Sequence, residues 1–451
     1  MLSSSSGPDE DELRRPHPQE SGKEGHCPAE LEYLRSMRLT DQIVFSRRCI
    51  KPVLSAHVDR NQVVNLPESL FASKQTIELS TCTGAVVKPC DPITLHVPLP
   101  YPERTYPEYI FGIVTSQDRL RESAATFSHW MSRSSAKLVA IVSDSRPATR
   151  AQLDDLERLF SDRNIDATII NPTIEGLTTS QNHFAIIRDL LRYSDSSTKW
   201  IGVLDDDTFF PSFYRLAQEL DRYDHTKEQY IGALSEDLRA VKNFGVMAFG
   251  GAGVFLSMTT AKTLDNHLEE CLAETKSDQG DGIMMDCVYR HTRAKLTHVH
   301  GLHQQDMRGD VSGFFESGVQ PISLHHWKSW YKHPVDKMSL ITKYCGDCFL
   351  QRWGFGDDTI FTNGYSIAVY PNGMDGVDLD KTEETWGPTD GGFDHSLGPF
   401  RSKMPDGHKL SYLLVNSEAL SSTAVRQVYV FKGNSRKKES DQVVELLWNF
   451  D

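Results

Sequence analysis

The sequence predicts an α/β fold in which a mostly parallel sheet is flanked by helices and followed by a β-rich C-terminal extension. Three observations predict it. Short apolar runs recur from Tyr109 onward, separated by amphipathic stretches of helical length. Such alternation marks parallel strands joined by crossover helices. One run, Trp200–Leu204, stops at three carboxylates, Asp205, Asp206 and Asp207, as a buried parallel strand does on leaving its sheet. Beyond about Pro334 the alternation fails, and Gly, Pro and Asn cluster between short strands.

In chain order, residues 1–26 are rich in Ser, Pro, Glu and Gly. They lack the apolar core of a signal peptide and are expected to be a disordered tail. Residues 27–104 carry Pro52, Pro67, Pro89, Pro92, Pro98, Pro100 and Pro102, which resist long helices and suggest an extended or irregular stem. The α/β unit is expected over 105–335. Its strands are Tyr109–Thr115, Lys137–Val142, Ala167–Ile170, Trp200–Leu204 and Tyr230–Leu234. A helix follows the first strand and runs through Met131. Others are expected over Ala151–Phe160, Asn182–Tyr193, Ser212–Tyr223, Thr259–Leu272 and Asp281–His291, by helical spacing such as Leu153, Leu156, Leu159 and Phe160. The extension, 336–451, has strands at Tyr365–Tyr370, Val425–Phe431 and Val443–Trp448.

A chain of 451 residues is too long for one small core. Its net charge of −14, with no Lys/Arg-dense segment, argues against a nucleic-acid partner. No run of about eighteen apolar residues occurs that could span a membrane. Eight cysteines at long intervals fit disulfides in an oxidising compartment. Cys345-Gly-Asp-Cys348 has no second CxxC to make a zinc site, so a local disulfide is expected.

The chemistry gathers at strand ends. In open α/β sheets, ligands bind outside the carboxyl ends of the strands. Asp205, Asp206 and Asp207 stand at such an end, and their hard oxygens suit Mg²⁺ or Mn²⁺. Gly250, Gly251, Ala252 and Gly253 leave no bulky side chain between the backbone and a ligand, although a tight turn uses the same letters. Asp281 opens a helix, where it either caps the helix or serves as a general base kept ionised by the helix dipole. His303, His325 and His326 each offer an imidazole that could complete an Asp-based metal site. Asp118, Arg119 and Asp144 lie just past the first two strand ends, where a ligand would sit; capping or surface roles suit them equally. A haloacid-dehalogenase-type phosphatase also carries Asp-x-Asp after a strand, but it needs Thr or Val where this chain has Phe209.

In this order the motifs resemble the fringe-like glycosyltransferases of family 31, in particular the fungal members. The resemblance is carried by Trp200–Phe210, Phe249–Ser257, Gly280–Cys287, Leu302–Ser317 and Ser323–Trp330, with Cys345–Trp353 and Thr362–Pro371 matching further on. It implies a GT-A-type nucleotide-sugar-binding fold and an inverting, metal-dependent transferase. The donor would be a UDP-sugar, supplying a hexose or N-acetylhexosamine to a hydroxyl of a glycan or glycoprotein, in a β1,3 linkage. The implied compartment is the Golgi or another secretory lumen, reached through an upstream membrane anchor that this sequence does not contain.

Residue by residue, Asp205–Asp207 match the family's Asp triplet, whose last carboxylate binds Mn²⁺ bridging the diphosphate. Asp281 matches the catalytic base, Cys287 a cysteine of the related core 1 galactosyltransferases, and His303 the first His of a downstream motif. The resemblance thus implies donor contacts from Asp118, Arg119, Asp144, Asp205, Asp206 and Gly250–Gly253. It implies metal ligands Asp205 and Asp207 with one of His303, His325 and His326. Gln279-Gly280 replaces the acidic pair that often precedes the base. The rival reading is a degenerate relative acting as a lumenal chaperone or binding module, against which all four aspartates speak.

Overall fold

The computed structural model describes residues 27–71, 73–87, 89–387 and 397–451, so the expected tail 1–26 lies outside the described residues. A seven-stranded sheet has the order Leu296–His298, Tyr230–Gly232, Val254–Ser257, Trp200–Leu204, Tyr109–Thr115, Lys137–Val142, Asp166–Ile170. Val254–Ser257 runs antiparallel to both neighbours and every other pairing is parallel. The sheet is therefore mostly parallel, as its continuous apolar runs require.

Strand periodicity assigns the two faces. Phe111, Ile113, Trp200 and Leu204 join one core with helices Gln117–Met131, Arg150–Ser161 and Phe213–Leu220. Ile110, Ile201 and Val203 join the opposite core with helices Thr179–Tyr193, Met258–Asn266 and Gly280–His291. Carried past Leu204, the alternation sends Asp205 toward the helix beginning at Thr179 and Asp206 toward the helix beginning at Gln117. Thr178 and Gln181 form a capping box that fixes where the former helix starts.

Residues 27–104, expected to be an extended or irregular stem, carry the strands Gln42–Leu54, Val64–Leu66, Gln75–Glu78 and Pro92–Val97. These enter a ten-stranded sheet with strands of the C-terminal region. Gln42–Leu54 pairs in parallel with Asp441–Asn449, bringing together residues some 400 apart in sequence and hiding the signal from any local reading. Pro92 opens its strand, and Pro52 lies past Ile50, where the pairing with Asp441–Asn449 ends and only the pairing with Pro92–Val97 continues. The C-terminal region is β-rich as expected, with Ser366–Val369, Ala424–Phe431 and Asp441–Asn449 in this sheet. Ile50, Leu70 and Leu95 share a core with Phe111, Trp130, Trp353 and Trp448, so both sheets close over common apolar contacts. Buried Arg60 donates to the carbonyls of Asp347, Gly318, Val319 and Phe349, stitching the N-terminal segment to the loops beside the α/β unit.

Smaller differences are local. The helix expected over Thr259–Leu272 breaks at His267 into Met258–Asn266 and Leu268–Glu274. Ser212–Tyr223 shortens to Phe213–Leu220, and Tyr230–Leu234 to Tyr230–Gly232. Cys345 pairs with Cys348 as expected, and the other six cysteines pair as Cys27–Cys82, Cys49–Cys90 and Cys271–Cys287. The last tethers the helix that carries Asp281. Among the described residues, no helix is long and apolar enough to cross a membrane.

Burial pushes the His333 imidazole down to about 4. The ring packs among Phe315, Tyr331 and Tyr365, and its Nε2 has no hydrogen-bond partner. An unfolded His titrates near 6.5, so below that pH the unfolded chain binds the extra proton and stability falls as pH falls. His333→Phe should remove this loss, stabilising the variant relative to wild type by up to about 2 kcal/mol more at pH 5 than at pH 7. Urea midpoints at the two pH values check it. An identical pH dependence in both proteins would contradict the assignment.

Candidate functional site

The alternation past Leu204 separates the three carboxylates. Asp206 turns inward and is 4% exposed. Its carboxylate takes two hydrogen bonds from the Arg119 guanidinium and one from Thr115, with Lys328 Nζ 3.4 Å away. Its backbone carbonyl accepts from Ser123 Oγ at 2.7 Å. Asp206 and Arg119, both expected among the donor contacts, are thus committed to each other. Asp144 accepts from Gln117 Nε2 at 2.9 Å, and Asp118 is exposed in the first turn of Gln117–Met131.

Asp205 and Asp207 face the other way and meet His325. Its Nε2 lies 3.3 Å from Asp205 Oδ2 and 3.0 Å from Asp207 Oδ1. Its Nδ1 lies 3.0 Å from the Gln304 carbonyl, which can only accept, so Nδ1 carries a hydrogen. In the neutral ring Nε2 is then a lone pair aimed at two carboxylates. Something positive belongs between them. A proton can supply it: burial alone would lower the His325 pKa, but Asp205 and Asp207 raise it to about 10. Burial likewise opposes ionisation of Asp205 and Asp207, yet His183 and His325 hold Asp205 well below the usual carboxylate range, and His325 lowers Asp207.

A divalent cation fits the same place. Asp207 Oδ2 is buried without a hydrogen-bond partner among the described residues. Two carboxylates and an imidazole held by a carbonyl on its far nitrogen are a usual donor set for such an ion. The residues fit Mn²⁺ or Mg²⁺. Of the three histidines expected as candidates, His325 alone points both ways. His326 Nε2 is 3.1 Å from Asp306 Oδ1 and its Nδ1 3.1 Å from Ser329 Oγ, although it lies beside Asp207 and His325. His303 is taken up by Glu236, with Nδ1 3.1 Å from Oε1.

Gly250–Gly253 is fully buried. A side chain at Gly251 would collide with the His325 ring, and a Cβ at Gly250 would sit 2.8 Å from Asp281 Oδ1 and 3.0 Å from His183. The glycines therefore admit these side chains, where the sequence suggested a ligand approaching the backbone. The segment's polar groups are engaged too: Gly251 O accepts from Thr208 Oγ1, and Ala252 N–H donates to Gln304 Oε1. Gly253 adopts φ +97°, in the left-handed region that favours glycine.

Asp281 does not cap its own helix. Gln279 holds the N-cap position, and Asp281 Oδ2 accepts the Gly250 N–H at 2.8 Å while Oδ1 has no hydrogen-bond partner among the described residues. Burial pushes its carboxyl up to about 6, against the opposing pull of the His183 imidazole. Sequence reasoning missed His183. Its ring stands between the two acidic groups, Nε2 3.3 Å from Asp205 Oδ1 and Nδ1 3.7 Å from Asp281 Oδ1. The available signal was the polar pair Asn182-His183 at the start of an otherwise apolar helix face whose N-terminus must lie at the sheet's ligand-binding edge.

The fold and site define an α/β protein with a cation-ready acidic cluster at strand carboxyl ends and a separate buried carboxylate across a glycine turn. A family described as "Protein of unknown function, DUF604" matches residues 241–337, which include Gly250–Gly253, Asp281, His303, His325 and His326. No curated protein matches the sequence. Among solved structures, the chain is similar to the mannosyltransferase PcManGT from Pyrobaculum calidifontis in complex with GDP-Man and Mn²⁺. The identity is 13% over 49% of this chain and 63% of that one, with a TM-score of 0.32. It is also similar to the glycosyltransferase GlyE of Streptococcus pneumoniae TIGR4, at 12% identity over 43% and 45% and a TM-score of 0.30. For mouse xyloside xylosyltransferase 1 the identity is 12% over 42% and 84%, with a TM-score of 0.30. The chain spans less than two thirds of the first two. Likeness this distant says nothing of a reaction.

Gly251→Ala should displace His325 and weaken Mn²⁺ binding at least about tenfold, as loss of a ligand or its support does. Calorimetry with Mn²⁺ reads this directly. Wild-type affinity in the variant would show that His325 is not a ligand.

Proposed function

We propose that this chain is an inverting, metal-dependent glycosyltransferase of the GT-A type. It would move a hexose or N-acetylhexosamine from a UDP-sugar to a hydroxyl of a glycan or glycoprotein, forming a β1,3 linkage. The observation that carries this reading is the pairing of two buried, incompletely bonded carboxylates in one site: Asp207 Oδ2 on the cation side and Asp281 Oδ1 across the Gly250–Gly251 turn.

Asp205, Asp207 and His325 would hold Mn²⁺ or Mg²⁺, which supplies positive charge to a leaving diphosphate. Asp281 would accept the proton of the acceptor hydroxyl. The acceptor oxygen then bonds to the anomeric carbon while the bond to phosphate breaks, its electron pair departing with UDP. A base titrating near 6 suits proton abstraction at neutral pH, and such assistance is worth roughly 10²–10⁴-fold. Asp206, Arg119 and Lys328 fix the strand end from behind. The work is proposed to take place in the secretory lumen, where the pairing of all eight cysteines would be maintained.

Incubation with a panel of UDP-sugars and Mn²⁺, with and without glycan acceptors, should release UDP in a metal-dependent way. No turnover with any donor, in protein that binds Mn²⁺ and UDP, would favour a binding relative instead. Asp207→Ala should abolish Mn²⁺-dependent UDP binding, read by calorimetry, without unfolding the protein; unchanged affinity would overturn the metal assignment. Asp281→Asn should bind the donor nearly as wild type and lose about 10²–10⁴-fold in turnover. Wild-type turnover would move the base elsewhere.

A further inference from the structure

Resting on the reading of Asp281 as the base, we propose that His183 is a positioning residue that fixes the orientation of the Asp281 carboxylate toward the acceptor. Asp281 has one firm anchor, the Gly250 N–H on Oδ2. A carboxylate held at one oxygen can still swing about its Cβ–Cγ bond. His183 is placed to stop this, with its Nδ1 3.7 Å from the other oxygen, Oδ1. That separation is just beyond a hydrogen bond, and contacts of this kind tighten when substrate closes a site. Oδ1 has a second lone pair for the acceptor hydroxyl.

The surroundings single out the ring. The His183 side chain is 12% exposed and its Nε2 lies 3.3 Å from Asp205 Oδ1, while Asp281 Oδ1 is buried without a hydrogen-bond partner among the described residues. Two glycines from separate motifs make room for it. A Cβ on Gly280 would lie 2.8 Å from Nδ1, and one on Gly250 would lie 3.0 Å from Cε1. The helix Thr179–Tyr193 buries Phe184, Ile186, Ile187 and Leu190 against the sheet, so His183 is not needed for that packing. Its other neighbour, Asp205, meets the ring's far nitrogen through Oδ1 and has His325 on Oδ2, so Asp205 does not depend on His183 alone. Asp281 has no second side-chain donor at hydrogen-bonding distance among the described residues.

The test separates ring from nitrogens. His183→Phe keeps a flat ring between the two glycines and removes both nitrogens, whereas His183→Gln restores a donor. The Phe variant should keep its thermal midpoint, bind Mn²⁺ and UDP within about threefold of wild type, and leave the acceptor KM little changed. Its kcat should fall about 10²-fold, the usual cost of a misplaced reacting group, and the Gln variant should recover at least about tenfold of that. If Phe is not accommodated, His183→Leu makes the same comparison. Wild-type kcat in the Phe variant would overturn the proposal. So would a loss of Mn²⁺ binding as large as the loss of kcat, which would assign the ring to Asp205. If Asp207→Ala and Asp281→Asn both keep wild-type turnover, the glycosyltransferase reading itself fails, whatever His183 does.

Discussion

Three consecutive carboxylates at the mouth of a buried strand must each find positive charge, and the architecture around the sheet follows from how they do so. Strand alternation divides them before any ligand arrives. Asp206 goes to the face of Gln117–Met131, where Arg119 and Lys328 neutralise it. Asp205 and Asp207 go to the His325 side, where one imidazole nitrogen faces both. The inward pair anchors the strand end, since a buried carboxylate stripped of its partners costs several kcal/mol. The outward pair is left with a buried oxygen, Asp207 Oδ2, that has no hydrogen-bond partner among the described residues.

The glycine turn is the other half of the same constraint. His325 and Asp281 approach it from different parts of the chain, and each is admitted because Gly251 or Gly250 has no side chain. One short segment thereby sets the separation between His325 and Asp281. It does so from a rigid position, because Val254–Ser257 runs directly on from it into the middle of the sheet. The Cys271–Cys287 bridge restrains the helix that presents Asp281 from below.

What the sequence disclosed follows the range of each signal. Tyr109–Thr115, Lys137–Val142 and Trp200–Leu204 fall where continuous apolar runs place them, because a strand covered on both faces writes its burial into every residue. The placement of Asp205 and Asp207 just past a strand end and of Asp281 in a helix's first turn was legible because these are local features. That His325, and not His303, faces both Asp205 and Asp207 was not. It depends on Gln304, Glu236 and Asp306, whose positions only the folded chain settles. Segment 27–104 misled for the same reason: its partners in the second sheet lie hundreds of residues away, and proline content reports only what a segment cannot form. His183 was overlooked because an amphipathic helix explains its neighbours and leaves one polar residue looking incidental.

The central claim is that Asp207 and His325 share a divalent cation. Diffraction at the manganese absorption edge, from crystals soaked in Mn²⁺ and UDP, tests it most directly. An anomalous peak within bonding distance of Asp207 Oδ2 and His325 Nε2 is the predicted result. A crystal that shows UDP in the site with no peak there, or a peak only at the stacked His267 and His291 rings beside Glu270, would contradict it.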